Sequence, residues 1–228
     1  MKNLNFKLLA TFLLTMVAYV ANAQDWYVCW TGSQQFTVDT NPALGSGNEV
    51  ATGSPGSTYA WTISGGGTVT PANPANTTLF TSNGTPGDYT ITATETNDCG
   101  EGTDQTFSVR VVKPDVSNIT FTGGSCSTDD IVITITGTPG ATVDYTVSSG
   151  TPNVPSPVTL DATGTATVTV ANPAAGAFDF NVTNVGVSFN QPNSAQLFTC
   201  SNNVDIAQTN INLTVGVGPV TSPIIATP

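Results

Sequence analysis

The chain has 228 residues, of which only 8% are charged, and its fifteen acidic residues stand against four Lys and Arg and no histidine. A chain this acidic does not bind nucleic acid through its phosphates and is repelled by anionic membrane surfaces. Without histidine, Ser-His-Asp and Cys-His catalysis are excluded, and so few charges argue against a chain kept disordered by its charge.

The N-terminal residues follow the pattern of a secretory signal. Lys2 and Lys7 accompany an apolar run over residues 8–20, which is short for a membrane span. Ala21-Asn22-Ala23 then fits the small-residue cleavage pattern. We therefore expect residues 1–23 to be removed and the protein to be secreted to the extracellular space or cell surface, with no membrane insertion after maturation. An uncleaved membrane anchor is the alternative.

Beyond the signal, apolar and polar residues alternate with a period of two, and no stretch has a helical period. Thr and Val fill the alternating runs, while Gly, Pro, Asn and Asp separate them. Many short strands at this spacing predict an all-β protein of two tandem immunoglobulin-like β-sandwiches. In chain order, the runs predict strands at residues 34–40, 58–64, around 68, 77–81, 88–95 and 106–112, and then at 119–122, 130–136, 142–148, 157–160, 165–170, 178–185 and 210–217.

The predicted boundary between the domains lies at Lys113-Pro114-Asp115, because Pro114 lacks an N–H and ends the preceding ladder. The first domain is expected to span residues 24–113 and the second residues 114–218, followed by a tail at 219–228. After removal of the signal, Arg110 and Lys113 would be the only basic residues against fifteen acids, a net charge of −13.

The four cysteines divide in the same way. Cys29 and Cys99 bracket the first unit, and Cys126 and Cys200 bracket the second. Four cysteines allow three pairings. We expect one bridge per domain, Cys29–Cys99 and Cys126–Cys200, because each cysteine then lies beside the first or last strands of its own unit. Such bridges form in an oxidising compartment. Reactive thiols or a metal site are the alternatives.

Acidic residues cluster in a predicted turn at Asp98, Glu101 and Asp104. Calcium prefers oxygen ligands, so these three are the candidate metal ligands, although no ordered D-x-D-x-D-G loop is present. Plain solvated turns are the alternative. A pair of facing carboxylates would also suit glycoside hydrolysis, but acids in polar turns beside a cysteine do not indicate it. We therefore predict no catalytic residue and no cofactor other than a possible calcium ion.

Aromatic residues near the N-terminus are candidates for a glycan or partner contact. Trp26 and Trp30 flank Cys29 and share a strand face with Val28. Trp61 lies in the middle of a predicted strand and is expected in the core.

The C-terminal tail repeats the pattern that links the two units. Lys113-Pro114 leads into the apolar run at 119–122, and Gly218-Pro219 leads into a second such run, at which the sequence stops. An extended apolar tail can add to the sheet edge of another copy. The predicted assembly residues are Ile224, Ile225, Ala226 and Thr227, and a frayed terminus is the alternative.

Several motifs resemble modules of known bacterial surface proteins. In the first unit, Tyr59-Ala60-Trp61-Thr62, residues 88–94 and Asn97-Asp98-Cys99-Gly100 resemble PKD-like domains of Bacteroidota. In the second, residues 139–146 and 158–167 resemble the immunoglobulin-like repeats of adhesins from the same bacteria. The resemblance implies the fold, whereas such modules serve as spacers, stalks and binding tips.

Three classes of function are compatible with the sequence: a structural or adhesive subunit, a glycan-binding module and a hydrolase. The sequence favours a non-enzymatic extracellular structural or adhesive protein. One form of this role is a subunit of a cell-surface filament whose copies join head to tail into a homopolymer, and the frayed terminus is the alternative to that assembly. A carbohydrate-binding module that contacts surface glycans through Trp26 and Trp30 is the alternative.

Overall fold

The computed structural model describes residues 26–38, 56–71, 76–192 and 194–218. These residues form β-strands joined by turns, and none of the described segments is a helix. Accordingly, the described part has no helix long and apolar enough to cross a membrane. The chain divides into two compact units, residues 1–112 with 190–196 and residues 113–189 with 197–228.

The first unit is a sandwich of two sheets. One sheet has the strand order β1-β8-β6-β3, with β7 beside β6, and the other has the order β2-β5-β4. Strand β1 runs parallel to β8, whereas the other pairs are antiparallel. The strands are β1 (Trp26–Cys29), β2 (Ser33–Thr37), β3 (Thr58–Ser64), β4 (Thr68–Pro71), β5 (Thr77–Thr81), β6 (Gly87–Asn97), β7 (Gly100–Glu101) and β8 (Gln105–Val112).

The second unit has the same two-layer plan. One sheet has the order β12-β14-β10-β9, and the other has β13-β11-β15-β16, with β17 also paired to β15. The strands are β9 (Val116–Gly123), β10 (Ile131–Gly137), β11 (Thr142–Val147), β12 (Thr151–Pro152), β13 (Val158–Thr159), β14 (Thr165–Ala171), β15 (Gly176–Asn190), β16 (Leu197–Asn202) and β17 (Asn210–Val215). The predicted all-β fold of tandem immunoglobulin-like sandwiches is confirmed.

Alternating residues of facing strands fill the space between the sheets, as the period of two requires. In the first unit, Phe80 is fully buried among Tyr89, Ile91, Val109 and Val111. In the second, the inward side of β10 is entirely apolar and fully buried, and faces the equally buried aromatic residues of β15. These two groups are Ile131, Ile133 and Ile135, and Phe178 and Phe180.

A tight turn between β13 and β14 shows how local chemistry sets the connections. One carboxylate oxygen of Asp161 accepts hydrogen bonds from the Thr163 N–H at 2.8 Å, the Thr163 hydroxyl at 2.7 Å and the Thr165 N–H at 2.9 Å. Gly164 follows with φ of +79°, and a Cβ there would lie 2.3 Å from the carbonyl oxygen of Gly137. Only glycine fits at this position.

Candidate functional site

The structure corrects the predicted cysteine pairing. Cys29 and Cys200 are the disulfide-bonded cysteines, whereas Cys99 and Cys126 carry free thiols. The predicted bridges Cys29–Cys99 and Cys126–Cys200 are therefore wrong.

In the first unit, the two cysteines lie toward opposite ends of β8. Cys29 pairs with Val112 at the C-terminal end of β8. Cys99 lies in the exposed turn after β6, and Ala93 near the end of β6 pairs with Gln105 at the start of β8. An extended strand from Gln105 to Val112 covers about 23 Å, whereas a disulfide needs Cα atoms about 4.4–6.8 Å apart.

In the second unit, the length of β15 separates the predicted partners. Cys126 forms an isolated parallel bridge with Gly216, directly after β17, and the end of β17 pairs with Gly176 at the start of β15. Cys200 lies in β16, with its carbonyl oxygen 3.7 Å from the position of a Cβ on Gly186. From Gly176 to Gly186 the strand covers about 33 Å. Sequence spacing carries no information about which end of a strand a cysteine occupies.

The acidic turn does not gather into a metal site. Asp98 lies between β6 and β7, Glu101 ends β7, and Asp104 precedes β8, all exposed. One carboxylate oxygen of Asp104 accepts a hydrogen bond from the Thr94 hydroxyl at 2.6 Å. Among the described residues, no group of three or more acidic, cysteine or histidine side chains is placed to hold a metal ion.

The three tryptophans belong to the first unit and pack against its core. Trp26, Trp30 and Trp61 are each partly buried against the cluster that contains Phe80. The indole N–H of Trp26 is buried without a hydrogen-bond partner among the described residues. The position of Trp61 agrees with its predicted role in the core. Trp26 and Trp30 are each half-buried, and their predicted contact with a glycan or partner stays a prediction.

A cavity of about 280 Å³ lies between the two sheets of the first unit. Its walls include Phe36 at the end of β2, Trp61 of β3 and Phe107 of β8, and the Phe36 and Phe107 ring centroids are 5.1 Å apart. Ile91 and Ala93 of β6 form its floor, and the exposed side chains of Gln105 and Thr106 contribute polar groups. The sequence did not indicate this cavity, because its walls come from four strands that are distant in the chain.

Strand β2 is an edge strand within the part of the chain that the structure describes. Toward β5, the Val38 N–H donates to the Asn76 carbonyl at 2.9 Å, and the Gly32 carbonyl accepts from the Ser82 N–H at 3.1 Å. Successive residues of a strand point their backbone groups in opposite directions. The backbone N–H and C=O groups of Ser33, Gln35 and Thr37 therefore point away from β5, toward the open edge.

The outer edge of β1 is covered differently. The side-chain amide of Gln191 accepts a hydrogen bond from the Tyr27 N–H at 2.9 Å and donates one to the Tyr27 carbonyl at 2.8 Å. Gln191 follows β15 in a segment that belongs to the first unit, and its side chain is buried. No sequence signal connects residues so far apart in the chain.

Two predicted features lie outside the described residues: the signal at 1–23, and the tail with Ile224, Ile225, Ala226 and Thr227. The predicted domain boundary at Lys113-Pro114 is adjacent to the division between Val112 and Lys113. However, residues 190–196, predicted within the second domain, group with the first unit.

Comparison with known proteins gives structural likeness only. No protein-family model matches the chain, and no curated protein matches it. Among solved structures, the adhesin InvE of Yersinia pseudotuberculosis is 16% identical, with a TM-score of 0.29 and 84% of this chain covered. Immunoglobulin domains 1–4 of Sidekick-1 are 11% identical, with a TM-score of 0.23 and 85% covered. The chain spans 56% and 49% of those two structures, respectively.

Proposed function

We propose that this protein is a non-enzymatic, extracellular structural or adhesive subunit whose copies join head to tail through the C-terminal segment. Two small sandwiches in tandem, with no histidine in the chain, suit a spacer or stalk better than a catalyst. The acidic residues of the predicted metal site are all exposed. A secretory signal at residues 1–23 would direct the chain to the outside before its removal, and the disulfide-bonded Cys29 and Cys200 fit an oxidising compartment.

The observation that carries the proposal is the role of β9 and its sequence likeness to the tail. Pro114 precedes β9, which pairs with β10 from Val116 to Gly123. Val116 is fully buried and Ile119 is 4% exposed, so β9 supplies apolar side chains to the core.

The tail has the same spacing as this opening strand. Ile119 is the fifth residue after Pro114, and Ile224 is the fifth residue after Pro219. An apolar segment with the pattern of an opening strand suits strand addition to another copy. Contacts of this kind between unlike surfaces generate filaments when they do not close into a ring.

The test compares the chain from Gln24 to Pro228 with a chain that ends at Gly218. We expect the longer chain to form polymers, measured by light scattering and electron microscopy at high concentration, and the truncated chain to remain monomeric with an unchanged melting temperature. Ile224→Asp should abolish polymers, because a charge cannot enter an apolar interface without a partner. Ser222→Asp, which adds the same charge at a polar position, is the matched control. A longer chain that remains monomeric would overturn the proposal.

A further inference from the structure

We propose that the open edge of β2, together with the cavity beside Phe36, is the acceptor site for residues 219–228 of a second copy. This inference rests on the proposed function, because it identifies the surface to which the donated strand adds. The incoming strand would take the place in the first unit that β9 holds in the second.

The two units of the chain provide the comparison. The sheet β4-β5-β2 of the first unit corresponds to β12-β14-β10 of the second, in which β9 adds as a fourth strand beside β10. Among the described residues, the first unit has no strand beside β2. Both units place a short parallel contact against their last strand, β1 on β8 and Cys126 on Gly216. In the second unit, β9 ends at Gly123, just before the contact at Cys126. A strand of the first unit that corresponds to β9 would therefore lie in the sequence before Trp26.

The segment before Trp26 consists of residues 1–25, of which 1–23 are the proposed signal. Cleavage after Ala23 would leave only Gln24 and Asp25 ahead of β1. Two residues are too few to form a strand of the length of β9, which has eight. The mature first unit would then have no room before β1 for a strand of this length, and we infer that another copy supplies it.

The outer edge of β2 has backbone N–H and C=O groups that an added strand could pair with. The outward groups of Ser33, Gln35 and Thr37 lie at the open edge, and the Gln35 carbonyl accepts a solvent-exposed hydrogen bond from the side-chain amide of the half-buried Gln34 at 3.0 Å. An incoming N–H can replace that bond, because the amide can return to water. Natural edge strands are commonly protected from pairing by lysine or proline, and the β2 sequence, SQQFT, contains neither.

The alternative edge of the first unit is covered. Gln191 satisfies both outward backbone groups of Tyr27 on β1, so a strand arriving there would have to displace a buried side chain. The edge of β2 requires no such displacement within the described residues.

The cavity explains why the donated strand should be apolar. It opens between the end of β2 and residues 105–107 of β8, which lie beyond the part of β8 that pairs with β1. Phe36, Trp61 and Phe107 give it an apolar lining. Ile224 and Ile225 of the incoming tail would fill the space and remove apolar surface from water, which favours the docked state. The tail is long enough, because residues 219–228 extend about 33 Å.

Crosslinking locates the acceptor directly. A photoreactive benzoylphenylalanine at position 225 is introduced into the chain that begins at Gln24, and the polymers are irradiated, reduced and digested with a protease that cuts after acidic residues. Cleavage after Asp25 and Asp39 releases residues 26–39, which contain both β1 and β2. We expect tandem mass spectrometry to place the crosslink on β2 or on the cavity residues Trp61 and Phe107. A crosslink to β1 or to any other part of the chain, in polymers that do form, would overturn the acceptor site and leave the proposed function intact, whereas absence of polymers would overturn both.

Proline substitutions provide the second readout. Gln35→Pro removes an N–H that points away from β5, so it should abolish polymers while the monomer melts within a few degrees of the unsubstituted chain. The matched control is Thr159→Pro on the edge strand β13. The Leu160 N–H donates to the Ala141 carbonyl at 2.8 Å, so the Thr159 N–H points outward in the same way. Thr159→Pro should polymerise normally. Polymers formed by a folded Gln35→Pro chain would overturn the acceptor site, and if that variant does not fold, the crosslink decides alone.

Discussion

The Tyr89 hydroxyl donates a hydrogen bond to the carbonyl oxygen of Thr85, at a distance of 2.7 Å. Tyr89 is 3% exposed and sits near the start of β6, after the turn that follows β5. This is the arrangement called a tyrosine corner in immunoglobulin-like sandwiches. In the second unit, the Tyr145 hydroxyl donates to the Val154 carbonyl, and burial raises the pKa of that hydroxyl above its usual value.

Tyr89→Phe is expected to lower the free energy of unfolding by about 1 kcal/mol, because it removes one hydrogen bond and leaves the ring packing in place. Urea unfolding monitored by circular dichroism measures the change. Tyr145→Phe should give a loss of similar size, because it also removes one hydrogen bond donated by a tyrosine hydroxyl and leaves the ring in place. If Tyr89→Phe unfolds at the same urea concentration as the unsubstituted chain, the hydrogen bond to Thr85 does not stabilise the first unit.

Thr78→Val is expected to raise the free energy of unfolding by about 1 kcal/mol, because a buried hydroxyl without a partner costs stability and valine has nearly the same shape. Thr78 is fully buried on β5, and its hydroxyl has no hydrogen-bond partner among the described residues. Thr81→Val, at an exposed position of the same strand, is the control and should change stability by less than about 0.5 kcal/mol. A destabilised Thr78→Val protein would mean that the hydroxyl is satisfied in solution.

The native protein is expected to carry two free thiols per chain, at Cys99 and Cys126. Cys99 is exposed and Cys126 is half-buried, so an alkylating reagent should modify Cys99 faster before unfolding. Mass spectrometry of the digested protein measures both rates. Cys99→Ser should remove the fast phase and leave the slow one. If the protein has no free thiol, even when it is unfolded without a reductant, this assignment is contradicted. All four cysteines would then be joined in two disulfide bonds.

Asp161→Asn is expected to lower stability at neutral pH and to lose this effect in acid. Hydrogen bonds from the Thr163 side chain and from the Thr165 and Thr163 N–H groups lower the pKa of Asp161. A carboxylate whose folded pKa is lowered stabilises the protein above its unfolded pKa, and the contribution is lost as the pH falls through the folded value. The difference between the two proteins in melting temperature should therefore shrink below about pH 4.

Asp88 provides the contrast for this experiment, because its partner is charged. The Arg110 guanidinium, whose Nε lies 2.6 Å from one Asp88 oxygen, lowers the pKa of that exposed carboxyl mainly through its hydrogen bond. High salt screens exposed charges, so 1 M NaCl should reduce the effect of Asp88→Asn and leave that of Asp161→Asn nearly unchanged. An equal response of the two variants to salt would contradict these causes.

The strands with clear alternation could be predicted from the sequence, and others could not. Strands β3 and β5 begin and end at the predicted residues. Strand β16 was not predicted, because one of its inward residues is Asn202, a polar side chain that the sequence does not mark as buried. The amide of Asn202 donates to the Pro114 and Asp205 carbonyls at 3.1 and 2.9 Å, which satisfies it inside the unit.

The candidate site was less predictable than the fold, because it depends on contacts between strands that are distant in the sequence. The β2 edge and the cavity depend on which strands become neighbours, and a single strand such as SQQFT has the same alternation whether or not another strand lies beside it. The predicted cysteine pairing failed because spacing along the chain does not show which end of a strand a cysteine occupies. The pattern of the tail could be seen in the sequence, because Ile224 follows Pro219 at the same distance at which Ile119 follows Pro114.

The Gln191 side-chain amide bonds to Tyr27 as the backbone of a neighbouring strand would. It accepts a hydrogen bond from the Tyr27 N–H and donates one to the Tyr27 carbonyl. Hydrogen exchange of a backbone amide reports the opening of whatever holds it. The Tyr27 amide hydrogen should therefore exchange when the Gln191 side chain moves away from β1. Its exchange rate measures that local opening rather than the separation of β1 from β8. The amide of Val28, the next residue, points the other way, toward β8, and exchanges only when the sheet itself opens.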